Sequence, residues 1–497
     1  MLRSVALLYI ADTGIAMSNS AKADAVLALN RFGLGPRPGS IAAIETDSRG
    51  ALLAELDRPP ASPAGASALP ASAQALRTVS DFNARQKARA TVAKREQDAK
   101  RQQMAGASAM AAPAMAEQAA QADEEMAKTE AQNPGRPIYL EEAKIRTEAA
   151  LSAEIGLTER LVWFWSNHFC ISADKIRSMA GAYEREAIRP HVLGRFADLL
   201  LAAESHPAML FYLDNLGSMG ASSTAGINRS RGLNENFARE TLELHTLGSQ
   251  SGYTQDDVIS FANVLTGWTW VPPDNDPEHG GEFAFNPRLH EPGAKTVMGK
   301  VYEDLGMEQG RAVLRDLAVH PATAAHVATK LARHFVADTP QPALVETMTK
   351  VFLETGGDLK EVTRAMLSSP DSWTAPPTKL KRPSEWGVSM VRATGLTQVD
   401  PKRFTGGLLL LGEPLWRPPS PKGFADDEAS WIDGMGRRLD IANSFAERVA
   451  DKADPQDVIE TVLASCVSEE AKQAVGRAES RQQALALLFM SSEFQRR

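Results

Sequence analysis

From about residue 139 to the C-terminus, apolar side chains recur at intervals of three and four residues, and Gly- and Pro-rich turns separate the apolar segments. This spacing places apolar side chains on one face of an α-helix, whereas a half-buried strand needs strict alternation. Almost no segment alternates in that way. The pattern therefore predicts a mainly α fold, arranged as a multi-helix orthogonal or bundle-like array with long irregular loops.

Composition divides the chain into three parts. Residues 17–58 predict an N-terminal helical segment that packs on the core, with two short helices around a glycine-rich turn. Residues 59–135 read as a low-complexity charged linker or insertion, and residues 136–497 as the main helical domain. With 43% hydrophobic and 23% charged residues, the chain has enough apolar side chains for a sizeable core.

The predicted insertion carries two stretches of opposite charge. Residues 85–101 contain seven basic and two acidic residues, a net charge of +5, and residues 117–130 contain five acidic and one basic, a net charge of −4. Both are rich in Ala and Gln and poor in large apolar side chains, so they can bury little area. Three interpretations stay open: a mobile solvated insertion, a helical hairpin whose charges pair, or a docking arm for a partner.

Several classes of protein are disfavoured by charge, hydropathy and cysteine content. The net charge of −8 argues against a nucleic-acid partner, because phosphate contacts need a basic surface. No run of about eighteen apolar residues occurs, so the sequence predicts no membrane span. Cys170 and Cys466 are too few for a clustered-cysteine zinc site and leave one conceivable disulfide.

The N-terminus leaves the start codon and the compartment open. The first residues hold one Arg and a short apolar stretch that Asp12 interrupts, which is a marginal signal peptide. Translation from Met17 is the preferred alternative, because that start leads directly into an amphipathic helix. A cytoplasmic location follows from the lack of a clear signal, and a periplasmic one from co-export with a partner.

The densest polar cluster lies in NENFARETLELHTLG, residues 234–248. At 100° per residue, Asn236, Arg239, Glu240 and Glu243 share one helical stripe. If this stripe is buried, two carboxylates one turn apart beside an Arg would separate their pKa values and give a proton donor and an acceptor. This predicts Glu240 and Glu243 as the catalytic acid and base, with Arg239 tuning them. A solvated face with Glu–Arg pairs is the alternative.

A second candidate is His168, in the strongly apolar segment RLVWFWSNHFCIS at residues 160–172. Buried polar groups need partners, so His168 is either a hydrogen-bonded core histidine or a catalytic one, acting as a supporting base or hydrogen-bond donor. No HExxH motif or comparable ligand pair occurs, so no metal site is predicted, and no cofactor is indicated.

Further polar residues near these segments are candidates for substrate binding. His206, which precedes a Pro, is more typical of a helix cap than of a catalyst. Residues 268–299 and 411–424 predict long loops, the first irregular and the second rigid because of its four prolines. The substrate-binding candidates are Asn167, Asn215, Asn234, Glu235, Asn236, His290, Lys295, Lys330 and His334.

Motifs along nearly the whole chain resemble those of a bacterial domain-of-unknown-function family, the one numbered 1800. In order, they include LNRFGLG, WFWSNHF, HPAMLFYLDN, NENFARETLELHTLG, HPATAAHVATKLARHFV, KRPSEW and PPSPKG. Because members are often encoded beside an exported sulfatase-like protein of the family numbered 1501, the resemblance implies an envelope role and that protein as a partner. It implies no activity.

Two positions depart from patterns seen in that family. Ser166 stands where some members have His, so the resemblance does not carry a two-His ligand pair to this chain. Other members have Phe in place of His245, so a catalytic role for His245 is not implied either.

Two functions from different classes follow. The leading hypothesis is a cell-envelope hydrolase that uses carboxylate acid–base chemistry and works with the sulfatase-like partner. The rival is a non-catalytic helical companion or export partner of that protein, for which the charged insertion would be the docking element.

Overall fold

The computed structural model describes residues 20–104, 132–227, 232–249, 251–274 and 276–497. The choice between Met1 and Met17 as the start and the acidic stretch at 117–130 therefore lie outside the described residues.

The prediction of a mainly α fold is confirmed. The N-terminal helices are α1 (20–31), α2 (Ser40–Ile44), α3 (Ser48–Leu56), α4 (Ser72–Met104), α5 (Gly135–Ser152), α6 (Leu157–His168), α7 (Ala173–Ile176), α8 (Ala180–Tyr183), α9 (Phe196–Glu204) and α10 (Pro207–Tyr212). The central helices are α11 (Asn236–Glu240), α12 (Gln255–Leu265), α13 (Met307–Ala318), α14 (Pro321–Phe335), α15 (Pro342–Thr355), α16 (Leu359–Ser368) and α17 (Asp371–Thr374). The C-terminal helices are α18 (Pro383–Ala393), α19 (Pro401–Leu410), α20 (Ala429–Ile432), α21 (Met435–Val449), α22 (Pro455–Val462), α23 (Glu469–Gly476), α24 (Arg481–Met490) and α25 (Ser492–Gln495).

Local sequence signals explain several of these helix boundaries. Thr254 and Asp257 form a capping box at the start of α12, in which the Thr254 side chain accepts from the Asp257 N–H. His206 caps α10, as predicted, because its side chain accepts from the Ala208 N–H, and His320 caps α14 in the same way.

Two segments depart from α-helical geometry by forming π-helical turns, at Glu184–Ile188 and Thr241–Thr246. Single 3₁₀ turns lie at Ala66–Ala68, Arg177–Met179, Arg189–His191, Asn215–Gly217 and Ala464–Cys466. The π-helical turn at Thr241–Thr246 continues α11 directly, and it is called the π segment below.

The loop predicted as irregular at residues 268–299 contains regular structure. The strands β1 (Trp268–Trp270) and β2 (Phe283–Phe285) pair antiparallel, and so do β3 (Lys295–Val297) and β4 (Lys300–Tyr302). Each strand has three residues, which is too short for an alternating pattern to be recognised in the sequence.

Buried apolar side chains form two clusters. The larger extends from α1 to the region of Trp416 and includes most of α6, where Trp165 and Phe164 are almost fully buried. The smaller is built by α18, α21, α22 and α24 around Trp386 and Phe489. α18 contributes to both clusters, with Val388 and Val391 in the larger and Trp386 and Met390 in the smaller.

The first part of the predicted insertion is tied to the rest of the molecule. Ser72, at the start of α4, donates to Glu186 from its backbone N–H at 2.9 Å and from its hydroxyl at 2.7 Å. Arg77 donates to the Gly280 carbonyl at 2.8 Å. Further along α4, the side chains of residues 87–96 are exposed, so this half of the helix presents charge to solvent.

Among the described residues, no helix is both long enough and apolar enough to cross a membrane. No disulfide joins Cys170 to Cys466, so the conceivable bond does not form.

Candidate functional site

The interface between α6 and α14 brings several predicted residues together. Three α6 residues spaced by four face three α14 residues with the same spacing: Arg160, Phe164 and His168 on one helix, and His326, Lys330 and His334 on the other. Arg160 lies 3.1 Å from the Nε2 atom of His334, and the rings of His168 and His326 lie 6.1 Å apart. The two ends of this interface differ in their chemistry.

At the end of the interface where Arg160 meets His334, Glu385 in the first turn of α18 contacts two arginines. Its carboxylate accepts from Arg160 at 3.0 Å and from Arg497 at 2.8 Å, and all three side chains are buried. Burial alone would raise the pKa of Glu385, but Arg160 and Arg497 lower it to about 2. Glu385 is therefore held as a paired anion.

His334 extends this arrangement. Its Nδ1 atom lies 2.8 Å from Asp426, and its backbone carbonyl accepts from Arg497 at 2.5 Å. Burial lowers the pKa of His334 to about 4, against the opposing effect of Asp426, so the ring is neutral at pH 7. A neutral ring donates to Asp426 from Nδ1 and accepts from Arg160 at Nε2. We call these five residues (Arg160, His334, Glu385, Asp426 and Arg497) the ion network.

A narrow cavity of about 50 Å³ lies beside the ion network, between α6, the start of α18 and the loop at 411–424. Asn167 fixes that loop, because its amide donates to the Phe424 carbonyl at 3.0 Å and its carbonyl accepts from the Phe424 N–H at 2.8 Å. Gly423 adopts a φ of +83°, and a Cβ there would lie 2.5 Å from the Asn167 backbone oxygen. Asn167 thus holds a loop in place.

At the other end of the interface, His168 and His326 bind the π segment. His168 donates from Nε2 to the His245 carbonyl at 3.1 Å, and His326 donates from Nε2 to the Leu244 carbonyl at 3.2 Å. Burial keeps the pKa of His168 well below its usual value and lowers that of His326 to about 4. Both rings are therefore neutral donors, and they satisfy carbonyls at the C-terminal end of the π segment.

A buried pair within the same region fixes His245. Its Nδ1 atom lies 2.6 Å from the Glu204 carboxylate, and both side chains are at most 1% exposed. The second carboxylate oxygen of Glu204, Nε2 of His245 and Nδ1 of His168 have no hydrogen-bond partner among the described residues. Buried atoms of this kind also occur in the ion network, on Arg160, Asp426 and Arg497, so they do not by themselves distinguish the two ends of the interface.

Glu240 is the last residue of α11 and leads into the π segment. It is partly buried, and no hydrogen bond or ion pair joins its carboxylate to another described residue. Burial raises the pKa of Glu240, and the neighbouring Glu243 adds to this, against the opposing effect of His245. Glu240 also contributes to the raised pKa values of Cys170 and Tyr212, so these groups lie within electrostatic range of it.

Lys330 is a cation near His168 and His326, at the second end of the α6–α14 interface. It is partly buried, and no described residue forms a hydrogen bond or ion pair with its ammonium group. Burial lowers the pKa of Lys330 to about 8, against the opposing effects of Cys170 and Asp426. Burial likewise raises the pKa of the Cys170 thiol to about 12, so Cys170 is not a thiolate at pH 7. We call Cys170, Tyr212, Glu240 and Lys330 the open cluster.

The other residues of the predicted catalytic stripe have partners of their own. Glu243 accepts from the Tyr253 hydroxyl at 3.0 Å. Arg239 donates to Glu235 at 3.1 Å and to Gln255 at 2.9 Å, on the solvent side of α11. No hydrogen bond or ion pair between described residues joins Glu240 to Arg239.

Asn234 and Asn236 stand at the start of α11. The Asn234 side-chain oxygen accepts from the Asn236 N–H at 2.9 Å, and its amide donates to the Asp214 carbonyl at 2.9 Å. Asn236 itself is exposed. These contacts describe the beginning of a helix.

Three predicted substrate-binding residues stabilise the hairpin region. Asn215 is buried and donates to the carbonyls of Leu265 and Trp268. His290 lies 2.8 Å from the Thr266 carbonyl, and Lys295 donates to backbone carbonyls of its own turn at 2.8 Å. These contacts connect backbone segments of the hairpin region. The substrate-binding role of the three residues stays a prediction.

Some residues of the site were not selected from the sequence. His326 shares the four-residue spacing with Lys330 and His334, a signal that was present in HPATAAHVATKLARHFV. Glu385 and Asp426 lie far from α6 and α14 in sequence, so only the fold brings them together. Among the described residues, no group of three or more His, Cys, Asp or Glu side chains could hold a metal ion.

Comparison with known proteins gives a family and no activity. The family model described as "Protein of unknown function (DUF1800)" matches residues 27–496, nearly the whole chain. The chain belongs to this family. No curated protein and no solved structure shows significant similarity to the chain. The ion network and the open cluster both lie within the part that the family model covers.

Proposed function

We propose that the chain is a hydrolase of the cell envelope in which Glu240 acts as the general acid. The observation that carries this proposal is the state of the Glu240 carboxylate: it is partly buried, its pKa is raised, and it has no partner among the described residues. The buried acidic residues of the neighbouring ion network are all paired. A carboxyl group with a raised pKa is better suited than an ordinary one to protonate a leaving group.

Two neighbours supply the other parts of such a reaction. Glu243 is the base that activates water in this proposal, and the Tyr253 hydroxyl, which donates to its carboxylate at 3.0 Å, orients it. Lys330 has a pKa of about 8 and is still protonated at pH 7, so it provides a cation for developing negative charge. In this proposal His168 and His326 are positioning residues, because they hold the π segment that follows Glu240.

The test is a hydrolase screen of the purified full chain. Chromogenic esters, glycosides, sulfate esters and phosphate esters are tested with and without the neighbouring sulfatase-like protein. Glu240→Gln should reduce any turnover by about 10²- to 10⁴-fold. Glu308→Gln is the control, since Glu308 is likewise a partly buried helical glutamate but pairs with Arg311 and Arg315, away from the candidate residues.

The outcomes separate catalysis from structure. Loss of turnover in Glu240→Gln with an unchanged melting temperature supports the proposal. Normal turnover per folded molecule in Glu240→Gln would contradict it, and so would an equal loss in Glu308→Gln.

A second candidate is the non-catalytic companion of the sulfatase-like protein, and one observation favours it. The side chains of Arg85, Lys87, Arg89, Lys94 and Arg95 are all exposed on α4. Together they form a basic helix surface that would suit an acidic partner. Reversing Arg89 and Lys94 to Glu should then abolish co-purification with the sulfatase-like protein without changing hydrolase turnover measured alone.

A further inference from the structure

A second pocket lies beside α19, at the C-terminal cluster. Its volume is about 240 Å³, and α18, α19 and α21 form its walls. The walls are mostly apolar and include Trp386, Met390, Phe404, Leu408, Leu411 and Phe445. We call this pocket the α19 groove. None of the residues discussed above as catalytic candidates lines it.

Two glycines keep the α19 groove open. Gly387 on α18 and Gly407 on α19 both line it, and each lies in a helix interior, where Gly is less favourable than Ala by about 1 kcal/mol. A Cβ on Gly407 would have Ile441 as its nearest neighbour, at 3.9 Å, and a Cβ on Gly387 would meet Phe404 at 3.5 Å. Larger side chains there would extend into the groove and fill it.

The rim of the groove is basic. Arg403, Arg448 and Lys452 line it and are exposed. Arg448 donates only weakly to Ser444, at 3.3 Å, and no ion pair between described residues neutralises any of the three cations. Asp400 is the one acidic residue in the lining, and it is engaged in capping α19 through the Arg403 N–H at 3.0 Å. The lining therefore has a net charge of about +2 at neutral pH.

The surface next to the groove is unusually apolar. Leu409 and Leu410, at the end of α19, are 52% and 61% exposed. The neighbouring residues Leu408 and Leu411 point into the groove lining. An apolar surface thus continues from the outside of α19 to the groove, as a site for a partly protruding apolar ligand requires.

We propose that the α19 groove binds a long-chain carboxylate, with the alkyl chain between α18, α19 and α21 and the carboxylate at the basic rim. The apolar walls favour burial of methylene groups, each worth a factor of about four in affinity. The basic rim selects an anionic end group. A volume below the roughly 300 to 1,000 Å³ of typical small-molecule sites suits one alkyl chain and not a two-chain lipid.

The experiment measures binding of dodecanoate to the full chain, below the concentration at which it forms micelles. Displacement of a fluorescent fatty-acid analogue reports the dissociation constant. Dodecanoate should displace the analogue, whereas butanoate and the neutral detergent dodecyl maltoside should displace it at least about tenfold less well.

Two matched pairs of variants test the groove itself. Gly407→Leu adds a side chain inside the groove and should weaken dodecanoate binding more than about tenfold. Gly406→Leu adds the same side chain at the next residue of α19, where a Cβ has open space and does not line the groove, and should leave binding unchanged. Both replace a helical Gly, so both should fold.

The second pair tests the rim. Arg403→Glu should weaken dodecanoate binding about threefold to tenfold, and added salt should reduce this difference. Lys402→Glu changes the same charge one residue earlier on α19, outside the groove lining, and should have less than half of that effect.

Several results would overturn the proposal. Equal binding of dodecyl maltoside would show an apolar surface without selection for an anion. Equal effects within either pair of variants would place binding elsewhere.

Discussion

The two ends of the α6–α14 interface hold similar residues in opposite states. In the ion network, Arg160, Glu385 and Arg497 are buried and mutually paired at distances of 3.0 Å or less. In the open cluster, Lys330 lies one turn from His334 on α14 and Glu240 ends α11, and both are partly buried and have no partner among the described residues. At the second end Glu204 and His245 are also paired, at 2.6 Å, so among the described residues there it is Glu240 and Lys330 that the fold leaves without a partner.

This difference indicates which residues stabilise the fold and which are candidates for chemistry. Pairing buried charges offsets the cost of removing them from water, whereas leaving a carboxylate and an ammonium group without partners keeps that cost. Groups with shifted pKa values that are not used in pairing are typical of catalytic sites. We therefore assign the ion network to the stability of the fold and the open cluster to the proposed chemistry.

The largest expected change in the free energy of unfolding comes from a substitution in the ion network. Glu385→Gln leaves Arg160 and Arg497 without their shared anion, and it should lower the free energy of unfolding by about 3 to 5 kcal/mol. Urea denaturation followed by circular dichroism measures this change. The control is Glu354→Gln, which removes an exposed surface pair with Lys350 and should change stability by less than about 0.5 kcal/mol. A stable Glu385→Gln variant would show that the network is dispensable.

The second prediction concerns the pH dependence of stability. The pKa of Glu385 is about 2 in the folded chain and near 4.5 when unfolded, so its contribution is present above pH 4.5 and is lost as pH falls toward 2. His168, His326 and His334, whose pKa values are lowered by burial, add a loss of stability that begins below about pH 6.5. Melting temperatures from pH 7 to 3 should fall steadily.

Comparison of wild type with Glu385→Gln identifies the group that causes the loss of stability in acid. Glu385→Gln should flatten the curve between pH 4.5 and 3, because the variant has lost the titrating carboxylate. The same slope in wild type and Glu385→Gln would assign acid sensitivity to other groups.

The third prediction tests the positioning role of His168. His168→Leu keeps the apolar packing but leaves the His245 carbonyl without its donor, which should cost about 1 to 3 kcal/mol. Hydrogen exchange should accelerate in the π segment more than in α15, which His168 does not contact. Loss of turnover without any change in stability or exchange would instead make His168 a catalytic residue.

The fourth prediction concerns Lys330, whose replacement should leave the stability unchanged or raise it, in contrast to the preceding variants. Its lowered pKa, about 8, means that the charged form is disfavoured in the folded chain, so wild-type stability should rise between pH 8 and pH 10.5. Lys330→Met should remove this rise and leave stability at pH 7 equal or slightly higher. A marked loss of stability in Lys330→Met would show that the ammonium group has a stabilising partner.

Local patterns in the sequence were sufficient for the fold class and for several caps. The three- and four-residue spacing predicted the helices, and Thr254 and His206 cap the helices that follow them. The π segment was not predicted, because the helical stripe of Glu240 and Glu243 assumed 100° per residue, and a π turn changes the direction of every later side chain.

The ion network could not be predicted from the sequence, for a different reason. Arg160, His334, Glu385, Asp426 and Arg497 come from five separate segments of the chain. Such contacts depend on how helices pack, and a single sequence carries no periodic signal for them. His334 was selected as a substrate-binding residue, and the structure places it inside the network.

The stability of Glu240→Gln tests the central claim most directly. If Glu240 is held without a partner for chemistry, replacing its carboxyl group by an amide breaks no ion pair and no hydrogen bond between described residues. The free energy of unfolding at pH 7, measured by urea denaturation beside Glu385→Gln, should then equal the wild-type value within about 0.5 kcal/mol or exceed it. A loss of about 3 kcal/mol or more would show that Glu240 belongs to a structural ion network, and it would contradict the division between the two ends of the interface.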